Sequence, residues 1–116
     1  MRKVYYLSTC STSKRIIANL DLRNQGFDFQ DIKFEPVTEE QIAQMFTLAG
    51  SYEVLFSKIA RKYKLLDLKN LNLQEEDFKK YILEEYTFLK RPVVIIDEQI
   101  FIGSSKANIE KLARAL

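Results

Sequence analysis

Cys10 is the one cysteine of the chain, and it stands between an apolar run, Val4-Tyr5-Tyr6-Leu7, and a hydroxyl-rich cationic stretch, Ser11-Thr12-Ser13-Lys14-Arg15. Ile16, Ile17 and Leu20 then recur at helical spacing, so a buried strand delivers the cysteine to the mouth of a helix. The unpaired amides there, with the aligned peptide dipoles, amount to about half a positive charge. Together with Lys14 and Arg15 one turn on, they favour thiolate over thiol and can bring a cysteine pKa from about 8.5 into the neutral range. The same amides suit a phosphate-like oxyanion. A nucleophilic sulfur beside an anion site could attack an arsenic, sulfur or selenium centre, or exchange with a disulfide. The plainer alternatives are a small buried hydrophobe at Cys10 and simple N-capping by Ser11, Thr12 or Ser13.

Two compositional facts narrow the chemistry. With no histidine in the chain, neither a Ser-His nor a Cys-His nucleophile pair can form, and no conventional zinc site is expected. In Cys10-Ser11-Thr12-Ser13 a serine stands where a dithiol motif has its second cysteine, so the resolving thiol must come from outside. Glutathione, a glutaredoxin or a partner protein would have to regenerate Cys10, with no bound cofactor. A lone cysteine cannot close an internal disulfide, which points to the reducing cytoplasm.

The remaining composition is that of an ordinary globular chain. Its 116 residues fit a single domain, and 47% hydrophobic against 29% charged residues supplies a core. A net charge of +2 is too small for an electrostatic grip on nucleic acid, and the clusters Arg61-Lys62-Tyr63-Lys64 and Lys79-Lys80 read as solvated helix faces. The apolar run after Met1-Arg2-Lys3 is too short for a signal peptide, and nothing approaches the roughly 20 apolar residues of a membrane span.

The elements that must position Cys10 can be taken in order. Residues 2–7 read as a strand buried on both faces. The first helix runs from about Thr12 with Gly26 as its stop, and residues 27–34 form a second, parallel strand with a bulge near Gln30-Asp31. Thr38-Glu39-Glu40-Gln41 is a capping box opening a helix with Ile42, Met45, Phe46 and Ala49 on its core face. Ser51 starts another helix carrying Val54, Leu55, Ile59 and Tyr63. A leucine-pinned loop follows, then a third helix over about 74–86. Val93-Val94-Ile95-Ile96 and Ile100-Phe101-Ile102 make an antiparallel hairpin, and a last helix covers residues 106–116. The order β-α-β, three helices, β-β-α predicts an α/β, thioredoxin-like fold. It comprises a mixed four-stranded sheet in one domain over 1–116, with a helical insertion over 36–87 between its halves.

Along most of its length the chain resembles the glutaredoxin-type arsenate reductases and their relatives the Spx regulators. The resemblance rests on the strand leading to Cys10-Ser11-Thr12-Ser13-Lys14-Arg15, on Leu55-Phe56-Ser57-Lys58 with Tyr63-Lys64-Leu65-Leu66, and most specifically on Phe88-Leu89-Lys90-Arg91-Pro92-Val93-Val94-Ile95-Ile96-Asp97 leading to Ile102-Gly103. It implies that Arg91 binds an oxyanion and that Pro92 is a cis-proline facing the thiol. Ser8-Thr9 stands where the family often has Asn-Pro, Ser11 where the arsenate reductases have glycine, and Ile59 where many relatives have an arginine. The function implied is a monothiol reductase. Cys10 is its nucleophile, and Ser11, Thr12, Ser13, Lys14 and Arg91 are the anion or substrate site. The substrate is a small oxyanion or a mixed disulfide, with an external thiol as reductant. The Spx side of the resemblance implies an alternative, a regulatory module that binds a protein such as RNA polymerase without turnover.

Overall fold

The computed structural model describes residues 1–116. In chain order its elements are β1 (Arg2–Tyr6), α1 (Ser11–Asn19), β2 (Asp28–Asp31), α2 (Glu39–Ala49), α3 (Arg61–Leu65), α4 (Glu75–Glu84), β3 (Val93–Ile96), β4 (Gln99–Ile102) and α5 (Lys106–Ala115), with short 3₁₀ turns between some of them. They fall into two compact units, Met1–Glu35 with Arg91–Leu116, and Pro36–Lys90.

The first unit is a four-stranded sheet in the order β2-β1-β3-β4. β1 pairs in parallel with β2, and β3 runs antiparallel to both β1 and β4. This is the mixed sheet and the α/β, thioredoxin-like fold expected from the element order. The two central strands explain their own sequences: every residue of Val93-Val94-Ile95-Ile96 is buried, as a strand flanked on both edges and covered on both faces requires. Val4, Val94, Ile96 and Phe101 from the sheet pack with Ile17 of α1 and Leu112 of α5 in one cluster. Tyr5 is buried as well, and that burial, aided by the charge of Asp28, pushes its phenol up to about 12, so it stays neutral.

Two boundaries in this unit differ from the periodicity reading. α1 ends at Asn19 rather than reaching Gly26, because Asp21 turns left-handed at φ 52 and a 3₁₀ turn over Leu22–Asn24 drops Leu22 into the core. β2 stops at Asp31, with no bulge at Gln30: the Asp31 carboxylate accepts the Lys33 amide (3.2 Å) and bends the chain away, leaving Phe34 exposed.

In the second unit the capping box forms as read. Thr38 Oγ1 accepts the Gln41 amide and Gln41 Oε1 accepts the Thr38 amide, both at 3.1 Å, and Gly50 ends α2 at φ 81. Ile42 and Met45 are fully buried, whereas Phe46 lies at the rim and stacks on Tyr52, with centroids 4.4 Å apart. The helix expected from Ser51 is absent. Glu75 accepts the amides of Tyr52 (2.7 Å) and Glu53 (3.1 Å), leaving only a 3₁₀ turn over Glu53–Leu55. Beyond it Ser57 N–H donates to Phe88 O (2.7 Å) and Lys90 N–H to Leu55 O (2.8 Å), which holds the chain extended. Consecutive Leu55 and Phe56 are therefore both buried, and Val54 and Ile59, read as apolar positions of that helix, are exposed.

Phe56 anchors this unit, with ring centroids 4.9 Å from both Phe78 and Phe88 and 6.0 Å from Tyr63. Phe56→Ala is expected to lower stability by about 3–5 kcal/mol, since it deletes a buried ring and leaves a cavity among aromatic neighbours. Urea denaturation followed by circular dichroism measures it; an unchanged midpoint would contradict the assignment.

Candidate functional site

The site is built by the turn that joins β1 to α1. Cys10 N–H donates to Leu7 O (2.9 Å), closing the turn at Ser8-Thr9, and Cys10 O accepts the Lys14 amide (3.2 Å), opening the helix. Cys10 itself therefore occupies the N-cap position, with extended backbone (φ −98, ψ 108) and no side-chain capping bond. The capping role open to Ser11 or Thr12 is not taken by either. Instead the half-exposed sulfur sits at the mouth of a helix whose first turn carries no acid.

Ser13 is fully buried, and its hydroxyl, which has no hydrogen-bond partner of ordinary geometry, lies beside the sulfur of Cys10 and favours its thiolate. Arg91 reaches the same sulfur from the start of β3. It precedes Pro92 across a cis peptide bond, and Pro92 O accepts the Gly103 amide (2.9 Å) at the end of β4. Burial alone would raise the Cys10 thiol. The hydroxyl and amide of Ser13 beside the sulfur, with the hydrogen bond and positive charge of Arg91, outweigh it and hold the thiol below its ordinary value. Ser13 and Arg91 are thus the residues brought onto the sulfur. Ser11, Thr12 and Lys14 occupy the same helical turn, Ser11 and Lys14 being exposed and Thr12 half-buried. Ile59 belongs to the second unit and is exposed.

One residue of this region was not legible from motif spacing. Asp31, at the end of β2, accepts the Ser8 amide (3.3 Å) together with that of Lys33, tying the turn before Cys10 to the neighbouring strand. Partial burial pushes its carboxyl up, but the Ser8 hydroxyl, the two amides and the Lys33 charge prevail and hold it below the usual carboxylate range. The available signal was an aspartate closing an alternating run, the arrangement of an Asx turn. Asp31→Ala is expected to cost about 1 kcal/mol, at the low end for lost charged acceptors because water reaches the group. A carboxylate with a depressed native pKa stabilises above its unfolded pKa of about 3.9, and the contribution disappears as pH falls through the native value. The difference between wild type and variant in urea should therefore be present at pH 7 and vanish in acid; a pH-independent difference would contradict it.

No group of three or more histidine, cysteine, aspartate or glutamate side chains is placed to hold a metal ion. No helix is long and apolar enough to cross a membrane.

Comparison with known proteins points the same way as the geometry. The family model described as the ArsC family matches residues 5–112. Among solved structures, the chain is similar to the arsenate reductase from Vibrio cholerae at a TM-score of 0.73 and 23% identity, covering 99% of this chain and 97% of that one. An arsenate reductase (ArsC) related protein from Brucella melitensis aligns at a TM-score of 0.73 and 21% identity, covering 95% and 92%. A protein from Staphylococcus aureus COL aligns at 0.76 and 24%, covering 96% and 97%. At these identities the likeness is one of fold. No curated protein sequence matches the chain.

Proposed function

Because the chain belongs to the ArsC family, we propose that it is an arsenate-reductase-like monothiol oxidoreductase in which Cys10 attacks a small oxyanion and is recycled by an external thiol. The observation that carries this reading is the convergence of Ser13 and Arg91 on the sulfur of Cys10 at the N-terminus of α1.

The chemistry follows from the groups present. The guanidinium of Arg91 offers paired N–H donors that suit two oxygens of a tetrahedral anion, and the amides of Ser11, Thr12 and Ser13 face its charge. Lys14 adds positive potential at the mouth. Held so, arsenate presents its arsenic to the thiolate. A sulfur–arsenic bond forms while one protonated oxygen leaves as water. An external thiolate then attacks the Cys10 sulfur, a sulfur–sulfur bond forms, and the electron pair of the sulfur–arsenic bond leaves with arsenic as arsenite. A second external thiol reduces the mixed disulfide and frees Cys10. The sum is arsenate and two thiols giving arsenite, one disulfide and water. Glutathione or a glutaredoxin meets the requirement for a donor. A glutathione mixed disulfide enters the same cycle at its last step.

Arsenate reduction and glutathione mixed-disulfide reduction, assayed side by side with glutathione and glutaredoxin supplied, test the proposal. Arsenite release that requires both protein and thiol is expected. Turnover of the mixed disulfide alone would contradict the oxyanion reading, and turnover of neither would contradict the reductase.

A further inference from the structure

In the second unit the segment from Lys58 to Leu71 carries four large aliphatic side chains that the fold leaves in solvent: Ile59 at 92% exposure, Leu65 at 72%, Leu66 at 52% and Leu71 at 54%. They account for nearly half of the large hydrophobic residues exposed on the chain, gathered into one short stretch. Exposed leucines scattered along a chain are ordinary, whereas four large aliphatic side chains exposed within one short stretch of sequence are the feature from which a docking surface can be argued.

The segment is not loose. α3 is followed by Asp67 in the left-handed region (φ 53), whose carboxylate accepts from the Asn70 side chain (2.7 Å), and by a 3₁₀ turn over Leu68–Asn70. Leu66 N–H donates to Lys62 O (2.9 Å) and Leu71 N–H to Leu68 O (3.1 Å). Ala60 and Leu68 are buried and Tyr63 meets the ring of Phe56, so these side chains pin the segment while Ile59, Leu65, Leu66 and Leu71 are left exposed.

The surrounding charge identifies what the surface fits. Five cations, Lys58, Arg61, Lys62, Lys64 and Lys69, accompany the single acid Asp67 within the segment. Lys58 pairs with Glu53 and Lys62 with Glu85, each at 2.8 Å. Arg61, Lys64 and Lys69 are exposed and lie in none of the ion pairs. We propose that residues 58–71 form a docking surface for an acidic protein segment in which carboxylates alternate with leucine-like side chains, the carboxylates meeting Arg61, Lys64 and Lys69 and the apolar groups covering Ile59, Leu65, Leu66 and Leu71. A second copy of the chain fits poorly, because a two-fold contact sets these cations against their own counterparts. An anionic bilayer fits poorly as well: helices that lie in a membrane surface present a long continuous apolar face, and here a five-residue helix gives way to a turn carrying an acid. Nucleic acid would answer the cations and leave the aliphatic groups uncovered. The surface uses none of the residues gathered at Cys10, so its test does not depend on the reductase reading.

The test uses the full chain and a short fluorescein-labelled peptide of alternating Glu and Leu, read by anisotropy and by amide chemical-shift mapping. Saturable binding with shifts confined to residues 58–71 is expected. Arg61→Glu/Lys64→Glu/Lys69→Glu and, separately, Ile59→Ser/Leu65→Ser/Leu66→Ser should each weaken it by at least about tenfold. Both sets change exposed positions, and an unchanged amide spectrum outside the segment certifies the fold. Shifts centred elsewhere, loss with the charge variant but not with the serine variant, stronger co-sedimentation with phosphatidylglycerol vesicles than peptide binding, or concentration-dependent dimers abolished by the serine variant would each overturn the proposal.

Discussion

Cys10→Ser is expected to abolish thiol-dependent reduction, by about 10⁶-fold or to the assay floor, while leaving thermal unfolding nearly unchanged. The magnitude follows from what the site lacks. Serine keeps the shape of the side chain, but its hydroxyl is far more reluctant than a thiol to ionise. No histidine exists in the chain to remove its proton, and no second cysteine could take over. Because the side chain is half-exposed and makes no capping bond to α1, the fold does not depend on it. Residual activity within tenfold of wild type would mean that the nucleophile lies elsewhere, and a collapse of the fold would mean that Cys10 is a packing residue.

The second large effect is at Arg91, where alanine should lower turnover of an oxyanion by about 10²–10³-fold, the range for removing a preorganised donor from developing charge. In the proposed reaction Arg91 would act twice: its guanidinium favours the thiolate, and its paired donors would suit the anion the thiolate attacks. The two roles separate experimentally. Arg91→Lys keeps a positive charge and loses the planar fork, so it should retain much of the thiol's reactivity toward a neutral alkylating agent while losing most oxyanion turnover. Steady-state kinetics on arsenate, paired with iodoacetamide alkylation of the same variants, resolves this. If alanine and lysine were equally impaired in both assays, the bidentate role would fall; if neither were impaired, Arg91 would have no part in the site.

Which parts of this arrangement could be read from residues alone follows from where the information sits. The central sheet was legible because Val93-Val94-Ile95-Ile96 and Val4-Tyr5-Tyr6-Leu7 are unbroken apolar runs, and a two-face-buried strand has no other way to be written. The capping box at Thr38 and Gln41 was legible because both halves lie within one turn. The segment after Ser51 was not, because its conformation is imposed from a distance: Glu75 captures the amides of Tyr52 and Glu53, and Phe88 and Leu89 pair with the chain around Phe56. Val54, Leu55 and Ile59 have a helical spacing that tertiary hydrogen bonds override. At the site, Cys10 was marked by its place between strand and helix, and Arg91 with Pro92 by resemblance. Ser13 looked interchangeable with Ser11 and Thr12 until the fold buried it. Asp31 could not be linked to Ser8 across an intervening helix by spacing at all.

The central claim is that the surroundings of Cys10 lower its pKa and so favour the thiolate. Its most direct measurement is the pH dependence of the rate of iodoacetamide alkylation of the native protein, with the urea-unfolded chain as reference. The unfolded chain should titrate near 8.5, the ordinary range of a free cysteine. In the native protein Ser13 and Arg91 outweigh burial, so the midpoint should lie clearly lower, and Ser13→Ala and Arg91→Ala should each move it upward. A native midpoint at or above that of the unfolded chain, unmoved by either substitution, would contradict the account.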